Sequence, residues 1–242
     1  MIRKVLVIVC IAAVAPVAAL ADDTQPTPQQ TAQQRCEALR SQLGAPTFAT
    51  TYGTNANDAN AFGKCVSALA SSSGKAQQNA AKQCKAEQAD PNFATAHGGK
   101  TFDQFYGNDR GKAAFGNCVS SKAKQAAQDE DEDVTSAAQL CKAQRTQLGA
   151  QAFTLLYGGG ANAFGKCVSK LAREHAQHEA EAQTPTEVQS ADRQEQQATL
   201  NAAKQCKAEL AANPAAFKAK YGKNTSKANA FGKCVSSNAK TK

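Results

Sequence analysis

The heptapeptide Ala-Phe-Gly-Lys-Cys-Val-Ser constrains the fold of this chain most strongly, because the chain contains it four times. The copies begin at Ala61, Ala114, Ala163 and Ala230, and the second has Asn117 in place of lysine. Each copy follows a Cys-x-Ala and a Phe-x-x-x-Tyr-Gly. The opening cysteines are Cys36, Cys84, Cys141 and Cys206, and the aromatic pairs are Phe48 and Tyr52, Phe102 and Tyr106, Phe153 and Tyr157, and Phe217 and Tyr221. Such internal similarity predicts four units of one design.

The spacing within each unit is helical. Phe and Tyr four residues apart share a helix face, and the glycine after Tyr is typical of the left-handed residue that ends a helix. Asn213 before Pro214 is a helix start signal. We therefore predict an all-α fold of four small three-helix units. In each unit the first helix carries the opening cysteine, the short second helix ends at Tyr-Gly, and the third carries the closing cysteine.

The glycine of the heptapeptide, at positions 63, 116, 165 and 232, lies inside a predicted helix. Glycine there costs roughly 1 kcal/mol relative to alanine, so something must offset that cost. We expect close packing against the first helix of the same unit, which lets the neighbouring cysteine reach its partner. The alternative is that the glycine exposes backbone to a ligand.

The first residues predict export. Arg3 and Lys4 precede an apolar run from Val5 to Val14, and Ala19-Leu20-Ala21 is typical of a signal-peptidase site. The apolar run is shorter than the roughly 20 residues of a membrane-spanning helix. We predict a signal peptide over residues 1–21, a secreted or cell-envelope protein and no transmembrane anchor. Loss of Arg3 and Lys4 lowers the formal net charge from +8 to +6.

Export changes how the cysteines are interpreted. Cys10 lies in the signal peptide, and eight cysteines remain in a chain with no Trp and few aromatic residues. Such a chain has a small core, and in an oxidising compartment its cysteines indicate a disulfide framework. Eight cysteines allow about a hundred pairings, but only pairing within units gives four similar separations. We predict the disulfides Cys36–Cys65, Cys84–Cys118, Cys141–Cys167 and Cys206–Cys234.

The segments between units differ, so we expect helical or flexible linkers. The serine-rich residues 71–74 predict a flexible break, and the acidic run Asp129–Asp133 predicts a solvated segment. We expect one helix to run past Cys167 to about Ala182 and another to begin at Pro185. The predicted divisions are residues 32–70 (unit 1), 71–79, 80–125 (unit 2), 126–136, 137–172 (unit 3), 173–200 and 201–242 (unit 4).

Catalytic chemistry is not expected. The chain has no Cys-x-x-Cys, and every cysteine after the signal peptide has a predicted partner. We predict no catalytic residue, metal or cofactor. One alternative is a metal site at His175 and His178 with Glu174 and Glu179 on one helix face. Another is a hydrolase or redox enzyme centred on His97 or His175.

Unit 4 is the most basic part of the chain. From residue 201 onward it has one acidic residue, Glu209, against the lysines at positions 204, 207, 218, 220, 223, 227, 233, 240 and 242. Such charge attracts polyanions or anionic lipid, so a cationic membrane- or polyanion-interacting protein is an alternative function. A solvated lysine face is the simpler interpretation. Specific nucleic-acid binding is not expected, because the aromatic residues are needed in the core rather than for base stacking.

The heptapeptide leaves two residue types available for a partner once Phe, Gly and Cys are assigned to structure. These are the lysines Lys64, Lys166 and Lys233 and the serines Ser67, Ser169 and Ser236. Weak sites repeated along one chain gain avidity from their linkage. We predict a non-enzymatic protein with a multivalent binding or structural role, whose partner is an anionic cell-envelope polymer or an envelope protein.

The order Cys-Lys-Ala-Glu, Phe-x-x-x-Tyr-Gly and Asn-Ala-Phe-Gly-Lys-Cys-Val-Ser is complete between Cys206 and Ser236. It resembles a repeat of uncharacterised secreted bacterial proteins. The resemblance covers about half of the chain after the signal peptide, and it implies a secreted bacterial protein without implying an activity. Unit 2 departs from the pattern, with Ala113 in place of Asn and Asn117 in place of Lys.

Overall fold

A computed structural model of the chain describes residues 28–108, 110–158, 160–181 and 185–239. Within these ranges the chain forms eleven α-helices and one short 3₁₀ helix, and no strand occurs there, so the predicted all-α class is confirmed. The predicted signal peptide, residues 1–21, lies outside the described residues. No helix in the described ranges is long and apolar enough to span a membrane.

The helices alternate between long and short. They are α1 (Pro28–Leu43), α2 (Ala45–Tyr52), α3 (Ala61–Ala89), α4 (Phe93–Ala96), α5 (Phe102–Tyr106), α6 (Ala114–Leu148), α7 (Ala150–Tyr157), α8 (Ala163–Glu181), α9 (Pro185–Ala212), α10 (Pro214–Tyr221) and α11 (Ala230–Ala239). The 3₁₀ helix covers Gly160–Asn162. The bounds of α8 and α9 agree with the predicted helices on either side of residue 183, and Asn213 caps α10 by accepting a hydrogen bond from the Ala216 amide.

The long helices pass back and forth beside one another. Helix α3 pairs antiparallel with α6, since Ser72 contacts Glu130 and Cys84 is bonded to Cys118. Helices α6 and α8 pair in the same way, and α8 and α9 do so in turn. As a result α2, α7 and α10 lie near one end of the molecule, and α5 lies at the far end of the α3–α6 pair.

Each disulfide forms the centre of a small core. The four bonds join the predicted pairs, with a Cα–Cα distance of 6.0 Å in every case, and all eight cysteines are fully buried. Phe48 and Tyr52 pack with ring centroids 5.0 Å apart, and the other three Phe–Tyr pairs lie at nearly the same separation. Closing a loop of about 30 residues stabilises the fold by roughly 3 to 4 kcal/mol in the chain-entropy model. The bounds of the four units stay a prediction.

The flexible break predicted at residues 71–74 is wrong, because α3 runs through it. The serines there serve helix contacts rather than a turn. Ser72 donates to Glu130 and Ser73 is buried, where its hydroxyl accepts from Arg35. Serine disfavours helix interiors mainly by competing for backbone hydrogen bonds, and here both hydroxyls have side-chain partners on other helices. The predicted linker is therefore a continuous part of a long helix.

The glycine after Tyr is left-handed in one copy only. Gly158 has φ +64°, but Gly53, Gly107 and Gly222 have negative φ, so the predicted left-handed stop is wrong for three copies. Those three are glycines for lack of space. A Cβ on Gly53 would lie 2.3 Å from the Asp58 carboxylate and 2.5 Å from the Ala49 carbonyl oxygen, and the other two meet comparable contacts.

Candidate functional site

In two of its four copies, the glycine of the heptapeptide contacts a helix of another predicted unit. A Cβ on Gly165 of α8 would lie 2.4 Å from the carbonyl oxygen of Thr51, at the end of α2, and one on Gly232 of α11 would lie 3.2 Å from that of Leu156, at the end of α7. Gly63 and Gly116 have no such neighbour within 4 Å. Packing against the first helix of the same unit is therefore wrong. In two of the four copies, Gly165 and Gly232, the glycine instead lets the closing helix approach the second helix of another predicted unit.

This docking brings together residues predicted as partner-binding. Where α8 meets α2, a cavity of about 640 Å³, here called the 1–3 groove, lies between units 1 and 3. Its lining includes Lys64, Lys166 and Ser169. Where α11 meets α7, a cavity of about 1110 Å³, here called the 3–4 groove, includes Lys233 and Ser236. Ser67 lines neither groove, and its hydroxyl donates to the Gly63 carbonyl.

The two grooves differ in charge. The 1–3 groove also contains Arg173, and none of its described lining residues is acidic. Lys64 and Lys166 are exposed and form no ion pair with the residues described. In the 3–4 groove, Lys170 pairs with Glu174 and lies near Glu195. The 1–3 groove therefore has three cations free of neighbouring carboxylates, which suits an anionic ligand.

The acidic run Asp129–Asp133 is not the solvated segment that the sequence predicted. Arg35 of α1 is 9% exposed, and its guanidinium donates to Glu130 at 2.8 Å and to Asp131 at 2.7 Å. It also donates to Ser73 and to the carbonyl of Ala127. Such bidentate pairs order both partners. Part of the run therefore holds α1, α3 and α6 together.

A second set of ionic contacts, here called the histidine cluster, joins α6, α8 and α9. It consists of Asp133, His175, His178, Glu179 and Asp192. Asp192 accepts from Nδ1 of both histidines, at 2.5 Å from His178 and closer to His175. Nε2 of His175 then lies 3.4 Å from an oxygen of Asp133 and 3.4 Å from one of Glu179. One carboxylate thus orients two imidazoles, and one imidazole faces two further carboxylates.

Burial controls the charges of this cluster. Asp133 is 7% exposed, and its burial raises its pKa to about 6, with the nearby His175 opposing that shift. Burial disfavours the charged form of His175 too. The hydrogen bond and charge of Asp192, together with Asp133 and Glu179, outweigh that effect and raise the histidine pKa.

Sequence reasoning considered His175, His178 and Glu179 but missed Asp133 and Asp192 as their partners. A signal was present for Asp133. It precedes Cys141 by eight residues and His175 follows Cys167 by eight, and equal offsets from a disulfide place residues side by side on antiparallel helices. No comparable signal marked Asp192. It lies on α9, and none of the four disulfides joins α8 to α9.

His97 has a local role. Its ring stacks on Phe93 with centroids 3.8 Å apart, and its Nδ1 lies 2.8 Å from the Phe93 carbonyl oxygen. No acidic side chain bonds to it among the described residues. The structure therefore does not bring His97 together with the other two histidines.

The residue three positions after the opening cysteine contacts the tyrosine of its own unit in three of the four units. Glu87, Gln144 and Glu209 accept the hydroxyl hydrogens of Tyr106, Tyr157 and Tyr221, respectively. In unit 1 the corresponding residue is Leu39, and the buried Tyr52 hydroxyl has no hydrogen-bond partner among the described residues. The Cys-Lys-Ala-Glu pattern therefore supplies the acceptor for the tyrosine of its own unit.

No protein-family model, no curated protein and no solved structure matches this chain.

Proposed function

We propose that this chain is an exported, non-enzymatic protein that binds an anionic polymer of the cell envelope through the grooves between its units. One observation carries the proposal: Lys64 of unit 1, Lys166 of unit 3 and Arg173, which directly follows unit 3, line the 1–3 groove, without a carboxylate among its described lining residues. Cations gathered in one concave surface attract a polyanion more strongly than the same charges dispersed.

The lining chemistry favours binding over catalysis. Beside the cations, the 1–3 groove offers the hydroxyls of Thr54 and Ser169 and the amide of Asn162. These groups hold an anion by charge and hydrogen bonding. General acid–base catalysis most often uses a histidine or a carboxylic acid, and neither occurs among the described lining residues of the 1–3 groove.

Repetition favours a polymeric ligand. The 3–4 groove follows the 1–3 groove along the same row of docked units and carries Lys233 and Ser236 at the corresponding positions. A polymer that occupies one groove raises the effective concentration of its next segment near the other. Four disulfides in so small a set of cores agree with export to an oxidising compartment.

The test is binding of inorganic polyphosphate and of isolated bacterial cell envelope to the full oxidised chain. We expect K64A/K166A to weaken binding about tenfold or more. The salt dependence of binding should also fall, because the loss of two lysine contacts reduces the number of counterions released from the polymer. The matched control is K85A/K142A, which removes the same charge from exposed positions outside both grooves. We expect the control to change affinity less than about twofold.

Three outcomes would contradict the proposal. Equal weakening by the two double variants would mean that net charge alone drives binding. If the chain bound neither polyphosphate nor isolated cell envelope at low salt, a polyanion site would be excluded. Tight binding to anionic vesicles that needs the lysines of unit 4, with no binding to the polymers, would instead support the membrane-interacting alternative.

A further inference from the structure

We infer that the histidine cluster is a binding site for one divalent transition-metal ion of the zinc class, with His175, Asp133 and Glu179 as its protein ligands. This inference concerns side chains of α6 and α8 that line neither groove, and it does not depend on the proposed polymer binding. It rests on the spacing of these three side chains, the orientation of His175 and the burial of Asp133.

The spacing fits one ion. Nε2 of His175 lies 3.4 Å from an oxygen of Asp133 and 3.4 Å from one of Glu179, and the three ligand atoms lie within 4.8 Å of one another. The two contacts are longer than good hydrogen bonds. Zinc holds nitrogen and carboxylate ligands at about 2.0 to 2.2 Å in a tetrahedron, which separates neighbouring ligand atoms by roughly 3.4 Å.

The orientation of the imidazole also fits. Nδ1 of His175 donates to Asp192 on α9, which leaves Nε2 as the atom that faces Asp133 and Glu179. A carboxylate on the far nitrogen is the usual support of a metal-bound histidine, since it fixes the tautomer and makes the other nitrogen a better ligand. Asp192 is thus a positioning residue, and it holds the ring before any ion arrives.

The helices supply the ligands from two sides. His175 and Glu179 are four residues apart on α8 and share a face, while Asp133 comes from α6. Asp133 is 7% exposed, and its ion-pair partner among the described residues is His175, at 3.4 Å. Burial of a carboxylate is costly, and a cation coordinated to it offsets that cost.

Charge favours an ion over a proton. Asp133, Glu179 and Asp192 bring three negative charges to His175. A protonated imidazole neutralises one of them, whereas a divalent ion bound to the neutral imidazole neutralises two. The adjoining cavity of about 430 Å³, lined by Asp133 and His175 among others, leaves space for a water molecule as fourth ligand.

The experiment uses the full oxidised chain after treatment with a chelator, with Zn²⁺ as the probe and calorimetry as the readout. We expect one ion per chain. D133N should weaken binding about a hundredfold, and E179Q, at an exposed position, about tenfold. D192N should also weaken binding about tenfold, through loss of the ring orientation. The control H97Q removes a histidine to which no acidic side chain bonds among the described residues, and it should bind like the unchanged chain.

A second readout separates metal binding from folding. Zinc should raise the melting temperature of the unchanged chain and of H97Q, because an ion that binds only the folded state stabilises it. Zinc should leave the melting temperature of D133N unchanged. We expect D133N to fold, because it removes a buried charge without loss of volume. Co²⁺ should bind in place of Zn²⁺ and give the intense visible absorption of a low-coordinate site. Excess Ca²⁺ should not displace the bound Co²⁺, since calcium prefers oxygen ligands.

Any of three results would overturn the inference. The first is no zinc binding by the unchanged chain at micromolar concentration. The second is an equal loss of affinity in H97Q and D133N. The third is a zinc-induced rise in melting temperature of the same size in D133N and in the unchanged chain.

Discussion

Helices α8 and α11 begin with the same heptapeptide as helices α3 and α6, with one substitution in α6, yet the two groups have different surroundings. In α8 and α11 the glycine, Gly165 or Gly232, presses on the carbonyl end of a neighbouring unit, whereas Gly63 and Gly116 face open space. The residue is the same and the role is not. A motif that recurs in one chain therefore indicates a shared local fold, and its neighbours decide what each copy does.

Unit 4 packs against unit 3, whereas the core of unit 2 is its own. The largest expected difference between these two units is in how much their stability depends on the disulfide. The cluster around Cys84–Cys118 draws its residues from unit 2 alone, while the cluster around Cys206–Cys234 includes Leu148 and Ala152 from the preceding unit. We expect C84S/C118S to lower the local free energy of unfolding of residues 90–113 by about 3 to 4 kcal/mol. Hydrogen exchange of the backbone amides measures this loss.

The comparison variant is C206S/C234S, in which contacts with unit 3 remain. Its amides in α10 should keep more protection than those of α5 keep in C84S/C118S. Equal loss in the two variants would show that docking contributes nothing to the stability of a unit.

The next effect concerns the docked glycine itself. In G165A the new methyl group would lie 2.4 Å from the Thr51 carbonyl oxygen, so α8 must move away from α2. We expect the free energy of unfolding to fall by about 2 to 3 kcal/mol, as for other overpacked sites. Urea denaturation of the oxidised chain measures it. G232A, with 3.2 Å available to Leu156, should cost less, and the reverse order would contradict the docking geometry.

The tyrosines extend the comparison from glycine to a second repeated residue. Tyr157 donates to Gln144, which is 2% exposed, whereas the Tyr52 hydroxyl has no hydrogen-bond partner in the part of the chain that the structure describes. Y157F should therefore destabilise the chain by about 1 to 2 kcal/mol, because it leaves a buried acceptor unsatisfied. Y52F should be neutral or slightly stabilising. Thermal unfolding of both variants decides the point, and equal costs would show that the Tyr52 hydroxyl has a partner.

The smallest effect is a gain. Gly63 is in a helix with no neighbour that a methyl group would meet, so G63A should raise the free energy of unfolding by about 0.5 to 1 kcal/mol through helix propensity alone. Gly63 and Gly165 have the same position in their helices, and the difference between G63A and G165A therefore isolates the docking contact. A destabilising G63A would mean that this glycine contacts something in its folded surroundings.

The sequence was sufficient for the all-α class, the aromatic pairs and the disulfides, because all three follow from local spacing and from the repeat. It was insufficient wherever a residue acts between units. Gly165 meets Thr51, more than a hundred positions earlier, and no local pattern marks that contact. Asp133 looked solvated because its neighbours are acidic, yet the antiparallel pairing of α6 and α8 buries it against His175. Long-range pairing of helices was the missing information.

The docking contact between closing helix and carbonyl end also has a direction. One side is a glycine face and the other is a helix terminus, so the row of units 1, 3 and 4 is polar rather than symmetric. Gly63 leaves a free glycine face at one end, and among the described helices none docks a glycine on α10 at the other. A further unit added at either end of this row would cover one exposed docking surface and leave another of the same kind exposed. A chain built on this rule can grow by whole units without having to evolve a new interface.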